Sequence, residues 1–243
     1  INNKLGSKFN PLFVNSTYDA LATVAGNGAF KVGDAVDVSG TVTSVRAISD
    51  KYLIDKMDRV YTSKHIINNQ WLIGGSNNLG GGLIEWQKDA FYNNSKDPYK
   101  VMEKDASKTG PCPGGLIFLP YLMGERSPIW DPHSSGTFFG INRMHKKNDF
   151  TRAVFEGAGF STLHIVDVIK SLKLNINNLT VAGGLSRIPL INQIKADMLN
   201  VPVKQFHNFE TTAIGAAIIV LKSQGEYETI ESAFNIFCKP KVI

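Results

Sequence analysis

"TVAGGLSRIPLINQIKADMLNVPV", Thr180 to Val203, decides how the chain is read. A short apolar run ends on Gly183-Gly184 and passes at once into a helical pattern. Ile191, Ile194 and Met198 recur at helical spacing, and Leu190 and Leu199 widen the apolar face. Ser186 is read as the cap and Pro189 as the first turn, because a proline there gives up no needed N–H. Asn200 suits a left-handed stop, and "VPVKQF" returns as a strand. Two readings of the glycines stay open. They form an ordinary tight turn, or a strand-to-helix junction where backbone N–H groups meet a flat or phosphorylated ligand.

Outward from that unit, the sequence alternates strands and helices. "STYDALATVAG" suits a short helix capped by Ser16 or Thr17 and stopped at Gly26. "DAVDVSGTVTSVRAI" alternates on both sides of a Ser-Gly-Thr turn and predicts a β-hairpin. "WLIGGSNNLGGGLIEWQKDAFY" predicts a strand, a glycine-rich bend and a helix from about Gly82, and Ser95 to Pro113 mixes helix with surface loop. "GLIFLPYL" is apolar enough for a buried strand. Asp149 is expected to cap a long helix with Val154, Ala158, Ile165, Val168 and Leu172 on one face. "FETTAIGAAIIVLKSQG" is a helix whose small residues suit tight packing. Strands first and alternation later predict one α/β domain.

Composition narrows the functions. The 243 residues carry 43% hydrophobic and 19% charged side chains, ordinary for a soluble domain. No apolar run is long enough to span a bilayer, so no membrane partner is expected. The two cysteines, Cys112 and Cys238, match no metal or redox spacing and suit a reducing cytoplasm. Net charge is +5, but the lysines are scattered and the densest cluster is "RMHKKN", which argues against a nucleic-acid partner. There is no G-x-G-x-x-G, no Walker A motif and no catalytic triad pattern. The five histidines sit in unlike contexts and are read as structural.

The order of segments is more telling than any one of them. "GTFFGINRMHKKNDFTRAVFE", Gly136 to Glu156, follows a second signature of Gly-x-aromatic-x-Gly-aliphatic, a seven-residue spacer, Asp-Phe and Ala-Val-Phe-Glu. With "YLMGERSPIWDP" before it and "TVAGGLSRIPLINQIKADMLNVPV" and "ETTAIGAA" after it, nearly the whole chain resembles the C-terminal half of the FGGY carbohydrate kinases. The resemblance implies an actin-like ATPase (ribonuclease H-like) α/β fold, a mixed five-stranded sheet flanked by helices, with residues 1–243 as one domain. It implies ATP-dependent phosphorylation of a sugar hydroxyl. Mg²⁺ is then ligated mainly through the phosphates and through an N-terminal domain that lies outside this chain.

By the same resemblance, Asp19 in "NSTYDALATVAG" is the catalytic base. Gly40 and Thr41 form the phosphate-holding hairpin, Gly81 lines the nucleotide cleft, and Gly183 and Gly184 floor the adenine. Glu125 and Arg126 brace their loop. Ser134-Ser135, the approach to Asp19 and Val42 depart from the commoner pattern. The sugar is left between a xylulose-like ketose and a gluconate-like polyol, and a homodimer is left open. A catalytically decayed actin-like binding domain is the alternative reading.

Overall fold

A computed structural model describes residue 14, residues 17–206 and 210–238, and the backbone of 240–242. In chain order the elements are α1 (Asp19–Gly26), β1 (Asp34–Ser39), β2 (Thr43–Ser49), β3 (Tyr61–Lys64), β4 (Trp71–Ser76), α2 (Gly81–Phe91) and α3 (Pro98–Ala106). They continue with β5 (Ile117–Leu119), β6 (Thr137–Phe139), α4 (Lys147–Ser171), β7 (Asn178–Ala182), α5 (Pro189–Leu199) and β8 (Val203–Phe206). The described chain closes with α6 (Thr211–Ser223), α7 (Ile230–Phe237) and β9 (Pro240–Val242).

Alternation places the sheet. Ala35, Val45, Ala47 and Ile73 turn one way, against Ile165, Val166 and Ile169 of α4. Their neighbours Val36, Ile48 and Leu72 turn the other way, against Leu21 and Val24 of α1. A period of two thus buries both faces of β1, β2 and β4. Full burial of each such aliphatic side chain contributes about 1.5–3 kcal/mol.

The sheet runs β3-β4-β2-β1-β7-β8-β9. β1, β2, β4 and β3 pair antiparallel, as hairpin-type connections require, whereas β1, β7 and β8 pair parallel through intervening helices. Five central strands carry the mixed sheet expected from the sequence. Two edge strands, β3 and the antiparallel β9, extend it to seven. β3 is "YTSK", with no apolar face to announce it.

Three local expectations need correction. Ser186 does not cap α5: its hydroxyl donates to the Gly183 carbonyl (2.7 Å), and a 3₁₀ turn over Gly184–Arg187 separates it from a helix that begins at Pro189. Asp149 lies inside the first turn of α4 rather than before it. Its carboxylate reaches back to accept the Lys146 N–H at 2.7 Å. α1 starts after Tyr18 with no side-chain cap, so Thr17 does not fill that role, and Ser16 and His207 lie outside the described residues.

The strand in "GLIFLPYL" pairs with β6 in a separate two-stranded ribbon. It is buried on one side only: Phe118 packs against α4 while Leu119 on the other side is exposed, so the expectation of a buried strand holds for one of its faces. A Cβ on Gly157 would stand 3.1 Å from Phe118, so the missing side chain lets the ribbon sit down on the helix. Asn200 ends α5 in the left-handed region (φ 53°), as its position predicted.

Candidate functional site

Backbone contacts made through glycine build the site. The β1–β2 turn carries Gly40 and Thr41, and the N-terminus of α2 docks on it. The Gly81 N–H donates to the Gly40 carbonyl (2.6 Å), and the N–H groups of Gly80 and Gly82 donate to the Thr41 carbonyl (2.8 and 3.2 Å). These bonds satisfy N–H groups that a helix start leaves without intrahelical partners. They also require glycine, since a Cβ on Gly81 would lie 2.7 Å from the Gly40 oxygen. With both carbonyls committed, the turn offers a ligand its N–H groups and the Thr41 hydroxyl.

Gly183 packs under the same turn. It takes φ +82°, and a Cβ there would stand 2.4 Å from the Ser39 carbonyl. Gly184 faces open space, with nothing within 4 Å of its notional Cβ. The pair expected to share one role therefore divides it: Gly183 permits close packing, and Gly184 leaves room.

Two cavities meet at the turn. The larger, about 660 Å³, is lined by Gly40, Thr41, Gly81, Gly184 and, beyond the residues expected, by Tyr99 and Ile188. Tyr99 came from a stretch read as partly surface loop. Pro98 at the first helical position, preceded by Asp97, was the available signal for a helix there. The Tyr99 hydroxyl donates to Glu85, whose other oxygen takes Lys88 at 2.5 Å. That lysine, then Tyr99, pulls the Glu85 carboxyl below its usual range.

The smaller cavity, about 240 Å³, is lined by Asp19, Val36, Gly40, Ser44 and Arg46 among others. Asp19 is exposed at the start of α1, and its carboxylate accepts the N–H of Ala20 at 2.8 Å. Gly40 is common to both cavities. Five of the six expected residues thus line this cleft, and Gly183 supports it from beneath.

Under the turn lies a polar cluster that the sequence reading missed. Lys195 of α5 reaches Asp37 of β1 at 2.5 Å, both fully buried. Thr162 and Ser39 also donate to that carboxylate, at 2.7 and 2.5 Å, and Ser39 meets the Thr43 hydroxyl at 2.8 Å. Ser39 and Thr43 flank the turn, so the cluster ties its base to α4 and α5. Lys195 follows Ile191 by one helical repeat on the apolar stripe, and that was the signal for a buried lysine.

Glu125 and Arg126 brace their loop as read. Glu125 accepts the Asn78 N–H (2.9 Å), and Arg126 donates to the Asn77 carbonyl (2.8 Å). Burial pushes the Glu125 carboxyl up, against the N–H groups of Asn78 and Arg126. Among the described residues no group of three or more His, Cys, Asp or Glu side chains is placed to hold a metal ion.

A mixed sheet with helices on both faces, and paired cavities parted by a glycine turn at the ends of two inner strands, are the arrangement of an actin-like ATPase domain, which the likeness to solved structures bears out. Residues 36–223 match the C-terminal domain of the FGGY family of carbohydrate kinases, and the chain belongs to that family. It is 30% identical to a gluconokinase of Bacillus licheniformis over 228 residues, 90% of this chain and 44% of that protein. It is 33% identical to a xylulose kinase of Staphylococcus epidermidis over 175 residues, 72% and 35% of the two chains. Among solved structures, the gluconate kinase from Lactobacillus acidophilus superimposes with a TM-score of 0.84 at 26% identity, over 92% of this chain and 45% of that one. The chain thus spans under half the length of the curated relatives it matches.

Proposed function

We propose that this chain is the nucleotide-binding half of a two-domain, ATP-dependent carbohydrate kinase and supplies its catalytic base. Gly40 carries the reading: it is the shared wall between the cavity that bears Asp19 and the cavity floored by Gly184. A base on one side and a turn rich in N–H groups on the other suit transfer of a phosphoryl group between two ligands.

The larger cavity fits ATP. Gly184 leaves space for the base beside Leu185 and Ile188, and Gly40 and Thr41 offer N–H groups and a hydroxyl to the terminal phosphates. ATP supplies the phosphoryl group, and Mg²⁺ neutralises charge on its phosphates. On this reading the phosphates themselves and the N-terminal domain would hold most of the Mg²⁺. Asp19 accepts the proton of the sugar hydroxyl as that oxygen attacks, which makes a poor nucleophile effective. The Asp37–Lys195 cluster keeps the turn's N–H groups aimed without contact with substrate.

The substrate class is a sugar or polyol hydroxyl, either a xylulose-like ketose or a gluconate-like polyol, and the reaction belongs to the cytoplasm, where Cys112 and Cys238 stay free thiols. The test is sugar-dependent ADP release by the two-domain enzyme. Release that survives unchanged in Asp19→Asn removes the base assignment, and no release with any sugar removes the kinase reading.

A further inference from the structure

The smaller cavity is lined by one cation, Arg46, and one carboxylate, Asp19, which form no ion pair with each other. Arg46, on β2, is only 9% exposed yet lines that cavity beside Asp19. Its Nη1 donates to the carbonyls of Val45 (3.1 Å) and Gly75 (2.8 Å), and its Nη2 donates to the Tyr61 hydroxyl. The guanidinium also lies over the Tyr61 ring, 4.4 Å from its centroid. Every one of these partners is neutral. Among the described residues no carboxylate forms an ion pair with Arg46. Burial, and the like charge of Arg126 nearby, both weaken its hold on its proton.

A guanidinium has five N–H donors, and these contacts use three. Burying such a cation without a counter-charge is unfavourable, and arginine is the side chain best shaped to take a carboxylate or phosphate through two donors. A buried guanidinium with two spare donors and no ion-pair partner among the described residues is suited to an anion.

Two anions come into question, the terminal phosphate of the nucleotide and an acid group on the sugar. Position separates them. Arg46 is absent from the lining of the larger cavity. It lies three residues along β2 from Thr43, where the turn closes, so it is roughly 10 Å down the strand at about 3.3 Å per residue. Ser44 and Arg46 are alternate residues of one strand and line the same cavity as Asp19.

We propose that this cavity is built for an aldonate, an open-chain sugar acid, with Arg46 as the specificity-determining residue. Arg46 binds the carboxylate, and the primary hydroxyl at the other end of the molecule faces Asp19. This rests on the kinase reading above and chooses between its two sugar classes.

The test compares gluconate with sorbitol, which has the same carbon chain with an alcohol in place of the acid, and with xylulose, all in the two-domain enzyme. The proposal expects kcat/KM for gluconate to exceed that for either neutral sugar by about a hundredfold. Arg46→Gln raises the KM for gluconate by a similar factor with the KM for ATP unchanged, and Arg46→Lys recovers part of the loss. Equal or better use of xylulose or sorbitol by the unaltered enzyme overturns the proposal whether or not the variants fold. A rise in the KM for ATP in a folded Arg46→Gln overturns it too, because the cation then serves the phosphate. If no sugar releases ADP, the kinase reading has failed separately. Thermal melting then decides the site: a gluconate-specific rise in Tm that Arg46→Gln abolishes supports it, and its absence overturns it.

Discussion

Among the described residues, the Asp19 carboxylate accepts one hydrogen bond, from the N–H of its neighbour Ala20. Asp19→Asn keeps that shape and loses only the ability to take a proton. In the two-domain enzyme kcat is expected to fall about 10²–10⁴-fold with the KM for ATP unchanged, as steady-state kinetics will show. Gly184→Val makes the opposite pattern. A branched side chain enters the open space beside Leu185, so the KM for ATP rises with a smaller change in kcat, the signature of lost uniform binding. Lys195→Met addresses stability. It strands a fully buried Asp37 carboxylate, and urea unfolding should show a loss of about 3–5 kcal/mol, much of it recovered when Asp37 is made Asn as well. Gly40, Gly81 and Asp19 were singled out by the family resemblance, since a turn glycine or a helix-start acid taken alone has an ordinary structural reading. Asp37 and Lys195 were not legible, because each meets its partner only when β1 and α5 are folded together.

Among the elements, the α1–α6 crossing determines where the base stands. A Cβ on Gly26 would lie 1.7 Å from the Thr211 carbonyl oxygen, and one on Gly215 would lie 1.8 Å from that of Ala22. The hydroxyls of Thr23 and Thr212 meet at 2.6 Å on the same seam. Gly215→Ala therefore pushes the helices apart and carries Asp19 with α1. Chemical denaturation is expected to show a loss of at least about 1–3 kcal/mol, and kcat should fall while the KM for ATP holds. The small-residue bunching in "TTAIGAA" announced a tight contact, but sequence alone did not name α1 as the partner. Helix positions were legible from periodicity, and Pro189 marked the first turn of α5, whereas the N-terminal capping residues were not legible. Ser186 and Asp149 are both good capping types, and local geometry used the first to bond backward and the second from inside the turn.

Taken whole, the domain would, on the proposed function, hold a nucleotide from one side only, and positioning is most of what phosphoryl transfer requires. The 243-residue chain by itself is expected to release no ADP in response to any sugar, which a coupled assay on it will check. Its stability should also weaken in acid. Burial pushes His65 down to about 4 from 6.5, so between those values the unfolded chain takes the proton first. Unfolding free energy is expected to fall by on the order of 3 kcal/mol from pH 6.5 to pH 4, and His65→Gln should flatten that slope. The existence of the five inner strands was legible from their apolar runs and alternation, whereas their order was not, because neighbours are fixed by pairing and not by pattern. β3 escaped because an edge needs no such pattern, and β9 because three residues carry too little of one. The turn at Gly40 has one more consequence. It is a partition common to two cavities, so if these hold nucleotide and sugar as proposed, any coupling between the two ligands must be reciprocal. Whatever factor a filled sugar compartment imposes on nucleotide affinity, the nucleotide must return to the sugar in equal measure, and two titrations run in opposite order will read the same coupling free energy.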